Sequence, residues 1–288
     1  MKIALLISGQ LGHLVFKKIF SLENIVAVFT DNNSKEIIAK CEEYGISYFV
    51  GNPRKGKASQ FIFGKKIEII LSVNYLFLIE QDLIEWPTKL ALNVHGSLLP
   101  RYRGRTPHVW AIINNEQQTG ITVHVIEESC DTGDILAQER IAIADDDTGN
   151  DLLLKYQEVY PIIIEKVFQD IKLDRLHRVK QDDSKATFFG KRVPEDGKIN
   201  WNWQKERIRN WVRALAHPYP GAFSIHNGKK IIIDKVEFSN AGFDYSFPNG
   251  MIINAENEII VKSPNGAIKL SQFRDSNKCF FKKGEILK

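Results

Sequence analysis

Apolar residues recur along this chain as short continuous runs, separated by polar stretches with helical spacing. Ile3 to Ile7 is an unbroken run, the pattern of a strand covered on both faces of a parallel sheet. Ser8-Gly9-Gln10-Leu11-Gly12 predicts a turn, followed by a helix from about His13 to Phe20. Ile25 to Thr30 predicts a second strand ending at Asp31-Asn32-Asn33, with a helix from about Ser34 to Tyr44. Strand, loop and helix in this alternation begin a Rossmann-like open α/β sheet. The runs Ile67–Val73, Leu90–Leu92, Ile121–Ile126 and Ile135–Ile143 continue it. Thr106-Pro107 has the form of a cap and first position of a helix reaching Asn114. Thr148-Gly149-Asn150-Asp151 opens a longer helix that places Leu152, Tyr156, Val159, Ile163 and Val167 on one core face, with Pro161 expected to kink it.

The pattern changes near Ala186. Polar residues from Lys180 to Lys185 predict a linker, dividing the chain into a Rossmann-like domain over 1–185 and a smaller one over 186–288. The second part starts with Phe188-Phe189-Gly190-Lys191-Arg192 and a tryptophan-rich stretch, then a helix from about Gln204 to Ala216. Short β runs follow at about Lys229–Phe238, Met251–Asn254, Glu258–Lys262 and Ala267–Ser271, punctuated by Asn227-Gly228, Asn249-Gly250 and Asn265-Gly266. This predicts a small antiparallel β domain, barrel-like and of OB type.

Composition narrows the classes. At 288 residues, with 43% hydrophobic and 26% charged residues, the chain has an ordinary globular make-up, and a net charge of +4 gives no reason to expect a nucleic-acid partner. Cys41, Cys130 and Cys279 are widely spaced, without a CxxC pair, and read as reduced thiols rather than as a disulfide or metal framework. The apolar N-terminus is too short and too soon interrupted for a signal peptide, and no run approaches the ~20 apolar residues of a membrane span. A soluble, cytoplasmic protein without a membrane partner is expected.

Chemistry concentrates in Asn93-Val94-His95-Gly96-Ser97-Leu98-Leu99-Pro100-Arg101-Tyr102-Arg103-Gly104-Arg105, with Asp131-Thr132-Gly133-Asp134 downstream. Asn93 and His95, two apart in an extended segment, share a face. An amide offers a neutral donor to a developing oxyanion, an imidazole moves protons near neutral pH, and a carboxylate orients and charges the imidazole. His124 sits on an expected strand and reads as structural. Gly9 and Gly12, with Asp31 some twenty residues on, form a partial dinucleotide fingerprint lacking one glycine, so a tight strand-to-helix turn is the better reading. No cluster suggests a metal.

The strings NVHGSLLPRYRGRTPHVWAI, TGITVH and DTGDIL together resemble the folate-dependent formyltransferases, whose members act on methionyl-tRNA, glycinamide ribonucleotide or nucleotide sugars. The resemblance implies 10-formyltetrahydrofolate as formyl donor, Asn93, His95 and Asp131 as catalytic residues, and no metal. It also implies folate contacts from Phe77, Leu78 and Ile79 and from Glu127, Glu128, Ser129, Cys130 and Asp131. Arg213 to Phe223, reading RALAHPYPGAF, is most similar to the nucleotide-sugar N-formyltransferases, and Arg105 matches an arginine that contacts the sugar nucleotide in the lipid A-modifying members. The expected acceptor is therefore a UDP- or dTDP-linked amino-deoxy sugar of surface-glycan (lipopolysaccharide) synthesis, and the family admits a homodimer. Methionyl-tRNA formylation is the alternative, and a non-catalytic sugar-nucleotide binding module a remote one. Trp201, Trp203 and Trp211 are either stacking surfaces or packing anchors.

Overall fold

The structure, a computed structural model, describes residues 1–274 and 280–288; Cys279 lies outside the described residues. In chain order the elements of the first half are β1 (Lys2–Ile7), α1 (Gly9–Phe20), β2 (Asn24–Thr30), α2 (Lys35–Glu43), β3 (Ser47–Val50), α3 (Lys57–Ile62), β4 (Ile69–Val73), α4 (Gln81–Ile84), β5 (Leu90–His95), β6 (Arg103–Gly104), α5 (Pro107–Ile113), β7 (Gln118–Val125), β8 (Ile135–Ala142) and α6 (Gly149–Lys172). The second half holds β9 (Phe188–Phe189), α7 (Lys205–Leu215), β10 (Ala222–His226), β11 (Lys229–Ser239), β12 (Ile252–Asn254), β13 (Ile259–Ser263) and β14 (Gly266–Phe273). The chain forms two compact units. One comprises 1–104, 120–141 and 155–188, the other 105–119, 142–154 and 189–288.

The first unit is built on a seven-stranded sheet in the order β3-β2-β1-β4-β5-β7-β8. Its pairs from β3 through β5 are parallel, and β5 pairs with β7 antiparallel. The continuous apolar run of β1 has the burial expected of it. Ile3, Leu5 and Ile7 enter one core cluster while Ala4 and Leu6 enter the cluster on the other face. Strand order reverses between β1 and β4, so the carboxyl ends of these strands frame the crevice where such sheets take ligands.

The expected turn at Gly9–Gly12 is instead the first turn of α1. Gly9, at φ +63°, reverses the chain in one residue, and a Cβ on Gly12 would meet Ile7 Cβ at 3.0 Å. Close helix-on-strand packing explains that second glycine. The Asp31 carboxylate is engaged by Ser34 Oγ at 2.6 Å and by the Asn33 backbone N–H at 2.8 Å. The partial dinucleotide fingerprint therefore has a structural origin.

The second unit carries a curled five-stranded antiparallel sheet, a half-barrel in the order β10-β11-β14-β13-β12. Asn227 and Gly228, at φ +48° and +75°, join β10 to β11 as a two-residue turn with both residues left-handed, the geometry that suits strand twist. α5 and α7 share this unit's core with Ile199, Trp201, Ile233 and Ile268. Trp201 and Trp211 are packing anchors, each buried and donating its indole N–H, to Ser224 Oγ at 3.0 Å and to the Gly197 carbonyl at 3.2 Å. Arg213, the arginine of the RALAHPYPGAF string, is also structural here. Its Nη1 donates to the carbonyls of Asp147 at 2.7 Å and Ala144 at 3.2 Å, and its Nε to Asn210 Oδ1 at 2.8 Å.

The capping box at Thr148 and Asp151 forms as its sequence predicts, with the Thr148 N–H donating to Asp151 Oδ2 and the Asp151 N–H to Thr148 Oγ1. Thr106, by contrast, caps nothing with its side chain and takes a left-handed φ of +47° before Pro107. The apolar stripe of α6 is divided. Leu152 belongs to the second unit's core, while Tyr156, Ile163 and Val167 belong to the first. α6 continues through Pro161. Among the described residues no helix is long and apolar enough to cross a membrane.

Candidate active site

Antiparallel pairing of β5 with β7 assembles the site within the first unit. Asn93 stands opposite His124 and His95 opposite Thr122, and directly opposed residues of an antiparallel pair have neighbouring side chains. Asn93 and His95 share a face, as their spacing predicts.

Hydrogen bonds fix both imidazole tautomers. A carbonyl can only accept, so His95 donates from Nε2 to the Tyr102 carbonyl at 2.8 Å, leaving its lone pair on Nδ1. His124 donates from Nδ1 to the Val125 carbonyl at 2.7 Å, so its Nε2 accepts from Asn93 Nδ2 at 3.1 Å. That bond also sets the Asn93 amide, with its NH2 group toward His124 and a second N–H still available. His124 is thus a buried strand histidine, as its position on β7 predicts, whose ring is hydrogen-bonded to Asn93 and to its own backbone neighbour. Local sequence carried no signal for this, because the juxtaposition arises from strand register.

Asp131 completes the group. Its Oδ1 lies 3.6 Å from His95 Nδ1 and 3.6 Å from His124 Nε2, and its Oδ2 accepts the Gly104 backbone N–H at 2.9 Å. Its backbone is left-handed at φ +59°, a sparsely populated conformation for a non-glycine residue. Gln181 holds the loop in place by donating to the Asp131 carbonyl at 2.9 Å and the Gly133 carbonyl at 2.7 Å. Buried Arg103 reaches Gln181 Oε1 and Asp183 Oδ1, each at 2.7 Å. The stretch Lys180–Lys185, expected as a linker from its polarity, therefore contributes a buried clamp. Hydrophilic composition hid it.

Burial opposes charge at both titrating positions. For Asp131, desolvation works to raise the pKa, but His95, His124 and the Gly104 N–H outweigh it and hold the carboxyl well below the usual carboxylate range. For His95, desolvation dominates and lowers the imidazole pKa. Asp131 and the Tyr102 carbonyl pull upward without overcoming it, and His124 pushes further down. The pair at neutral pH is a carboxylate facing a neutral imidazole. Asp131 acts on His95 in the direction expected of it, but burial sets the outcome.

The remaining site residues fall in two units. Phe77, Leu78 and Ile79 lie in the loop after β4, where Leu76 and Leu78 are exposed while Tyr75 and Phe77 meet edge to face with ring centroids 5.5 Å apart. Such an irregular apolar wall suits a flat heterocycle. Glu127, Glu128, Ser129 and Cys130 are exposed in the loop leading to Asp131, and Ile126 at its root packs against the same core cluster as Tyr75 and Ile79. Arg105 belongs to the second unit, where it lines a cavity with Thr106 and Val109. Among the described residues, no group of three His, Cys, Asp or Glu side chains could hold a metal ion.

Residues 1–167 match the family profile described as formyl transferase, and residues 191–286 match the formyl transferase C-terminal domain. Solved structures share the architecture. WlaRD, a sugar 3N-formyltransferase crystallised in the presence of dTDP and 5-N-formyl-THF, is 22% identical with a TM-score of 0.72, covering 97% of this chain and 99% of its own. An N-formyltransferase from Helicobacter canadensis, in complex with folinic acid and dTDP-3-aminofucose, is 22% identical with a TM-score of 0.71, covering 94% of this chain and 98% of its own. A 4-N formyltransferase from Francisella tularensis is 25% identical with a TM-score of 0.68, covering 81% of this chain and 96% of its own.

Proposed function

The chain belongs to the formyltransferase family, and from that premise we propose that it transfers a formyl group from 10-formyltetrahydrofolate to the primary amine of a UDP- or dTDP-linked amino-deoxy sugar used in surface-glycan synthesis. The observation that carries the reading is the cluster of Asn93, His95, His124 and Asp131, with tautomers and amide orientation fixed by hydrogen bonds. The sugar acceptor is supported by the relatives that bind dTDP or dTDP-3-aminofucose and by the 4-N formyltransferase at 25% identity.

Bound formyltetrahydrofolate supplies an electrophilic formyl carbon; the protein's residues manage charge and protons around it. In this reading Asn93 gives its second amide N–H to negative charge growing on the formyl oxygen, while His124 keeps that amide from rotating. His95, neutral and with its lone pair on Nδ1, takes a proton from the attacking amine. Its 3.6 Å separation from Asp131 is too long for a hydrogen bond, so the lone pair is not already committed. Once protonated, the imidazole faces an ionised carboxylate, and it can return the proton to the departing folate nitrogen. The Gly104 N–H and Gln181 keep Asp131 ionised and aimed. The apolar segment Phe77, Leu78 and Ile79 flanks the pterin in this reading.

The test is mass spectrometry of whole-protein reactions containing 10-formyltetrahydrofolate and a panel of UDP- and dTDP-linked 3- and 4-amino sugars, with methionyl-tRNA alongside. A formyl mass gain on a sugar nucleotide is the expected result. Gain on methionyl-tRNA alone would replace the reading with its alternative. Sugar-nucleotide binding without transfer to any acceptor would favour a binding module.

A further inference from the structure

Arg103 connects the two titrating members of the site within the first unit. The peptide before it carries the Tyr102 carbonyl, which accepts from His95 Nε2 at 2.8 Å, and turns its N–H to the Thr187 carbonyl at 2.8 Å. The peptide after it carries the Gly104 N–H, which donates to Asp131 Oδ2 at 2.9 Å. The backbone on either side of one residue thus sets the imidazole tautomer and holds one oxygen of the carboxylate. Tyr102, at φ +59°, and Gly104, at φ +100°, bracket Arg103 with backbone conformations that extended chain does not adopt by default. Such a path needs an anchor.

The Arg103 side chain supplies it. It is 2% exposed, a burial that arginine tolerates only when its donors are paired. Nε and Nη2 donate to Gln181 Oε1 at 3.1 and 2.7 Å, and Nη2 also donates to Asp183 Oδ1 at 2.7 Å. A guanidinium can only donate, so Gln181 must offer it the amide oxygen and turn the NH2 group the other way. On that side lie two acceptors, the Asp131 carbonyl at 2.9 Å and the Gly133 carbonyl at 2.7 Å. Arg103 therefore sets the polarity of the Gln181 amide, and the amide holds the backbone of Asp131 in its left-handed conformation. We propose that Arg103 is the positioning residue of the site, its side chain and flanking peptides together fixing the aim of Asp131 toward His95. The proposal rests on the roles given above to His95 and Asp131. Arg103 acts through Gln181 and the adjoining peptides, not as a catalytic group itself.

Arg103→Met and Gln181→Glu test it in the whole protein. Methionine occupies the space without donating, whereas glutamate still accepts from Arg103 but has no N–H for the two carbonyls. Each is expected to lower kcat for formyl transfer about tenfold to a hundredfold, with KM for donor and acceptor within about threefold of wild type. A misaimed Asp131 pulls less on His95, so the acid limb of kcat/KM moves to lower pH; His124, the other titratable group acting on His95, keeps its own bonds. In an Asp131→Asn background either substitution costs less than about threefold more, because no carboxylate is left to aim. An equal loss in both backgrounds with an unmoved acid limb marks a merely structural arginine and overturns the proposal. Amide exchange at Gly104, measured without substrate, reads the positioning independently of activity. That amide is expected to be protected in wild type and released in both variants while β1 amides stay protected. Where Arg103→Met does not fold, Gln181→Glu carries the test, and unchanged Gly104 protection in the folded variant overturns the proposal. If Gly104 responds as expected but wild type formylates no sugar nucleotide, the positioning stands and the acceptor reading has failed.

Discussion

Asp131→Asn isolates the charge of the site carboxylate. Asparagine is nearly isosteric, and its Oδ1 can still accept the Gly104 N–H that Asp131 Oδ2 receives at 2.9 Å. What disappears is the attraction between the carboxylate and a protonated His95. At the 3.6 Å separation and an effective dielectric of about 20, that attraction is about 4–5 kcal/mol. Full imidazolium charge in the transition state would translate into about a thousandfold loss of rate, and half a charge into about thirtyfold. The expected fall in kcat lies between those bounds, read by formyl transfer at saturating donor and acceptor. The pH profile carries the sign. In the proposed mechanism His95 is a base in its neutral form, so kcat/KM is expected to fall on the acid side as the imidazole is protonated. Asp131 favours that protonation, so removing its charge makes His95 harder to protonate. The acid limb of Asp131→Asn therefore moves to lower pH while the plateau drops. A folded variant with kcat within threefold of wild type, or with its acid limb displaced to higher pH, would refute the roles given to this pair.

His108 makes the second unit acid-sensitive. Desolvation pushes its pKa down to about 4, so between pH 6.5 and 4 the unfolded chain takes up a proton that the folded state refuses. The stability present above pH 6.5 declines by about 3 kcal/mol on reaching pH 4, and in thermal melts His108→Phe shows a shallower pH dependence across that window. Thiol labelling of the native protein marks exposed Cys130 and spares buried Cys41, whose pKa burial raises to about 12; labelling of Cys41 before unfolding would contradict its placement. Gly96→Ala drives a Cβ to 2.7 Å from Tyr156 Cε2, beside the hydrogen bond from the Tyr156 hydroxyl to the Gly96 carbonyl. A loss of about 1–3 kcal/mol in urea unfolding is expected.

The parts of this protein legible in its sequence were those set by local spacing. The two-faced burial of β1, the shared face of Asn93 and His95, the Asn-Gly hairpin and the Thr148 capping box each follow from residues close together in the chain. Elements set by long-range register were not legible. His124 joins the site only because β7 runs antiparallel to β5, and nothing in TGITVH encodes the partner strand. Gln181 looked like linker because its neighbours are polar, yet it clamps a loop fifty residues upstream. The short strands β3 and β10, SYFV and AFSIH, show no clean alternation of apolar and polar positions and so are not legible as strands. Gly9 and Gly12 suggested a loop when their actual task is an abrupt entry into a tightly packed helix.

The assembly of the second unit from three separated stretches has a consequence for how the chain is made. Val109 and Ile112 of α5 and Leu152 of α6 are buried there among Ile233, Val261 and Ile268, residues synthesised more than a hundred positions after α5. On the ribosome, the apolar face of α5 must wait without its proper neighbours until those residues have been made. The late-emerging stretch 189–288, produced alone, would in turn lack the Ala144 and Asp147 carbonyls that receive the Arg213 guanidinium. Apolar surface exposed in this way favours aggregation of incomplete chains, and an excised C-terminal fragment is a poor candidate for independent expression.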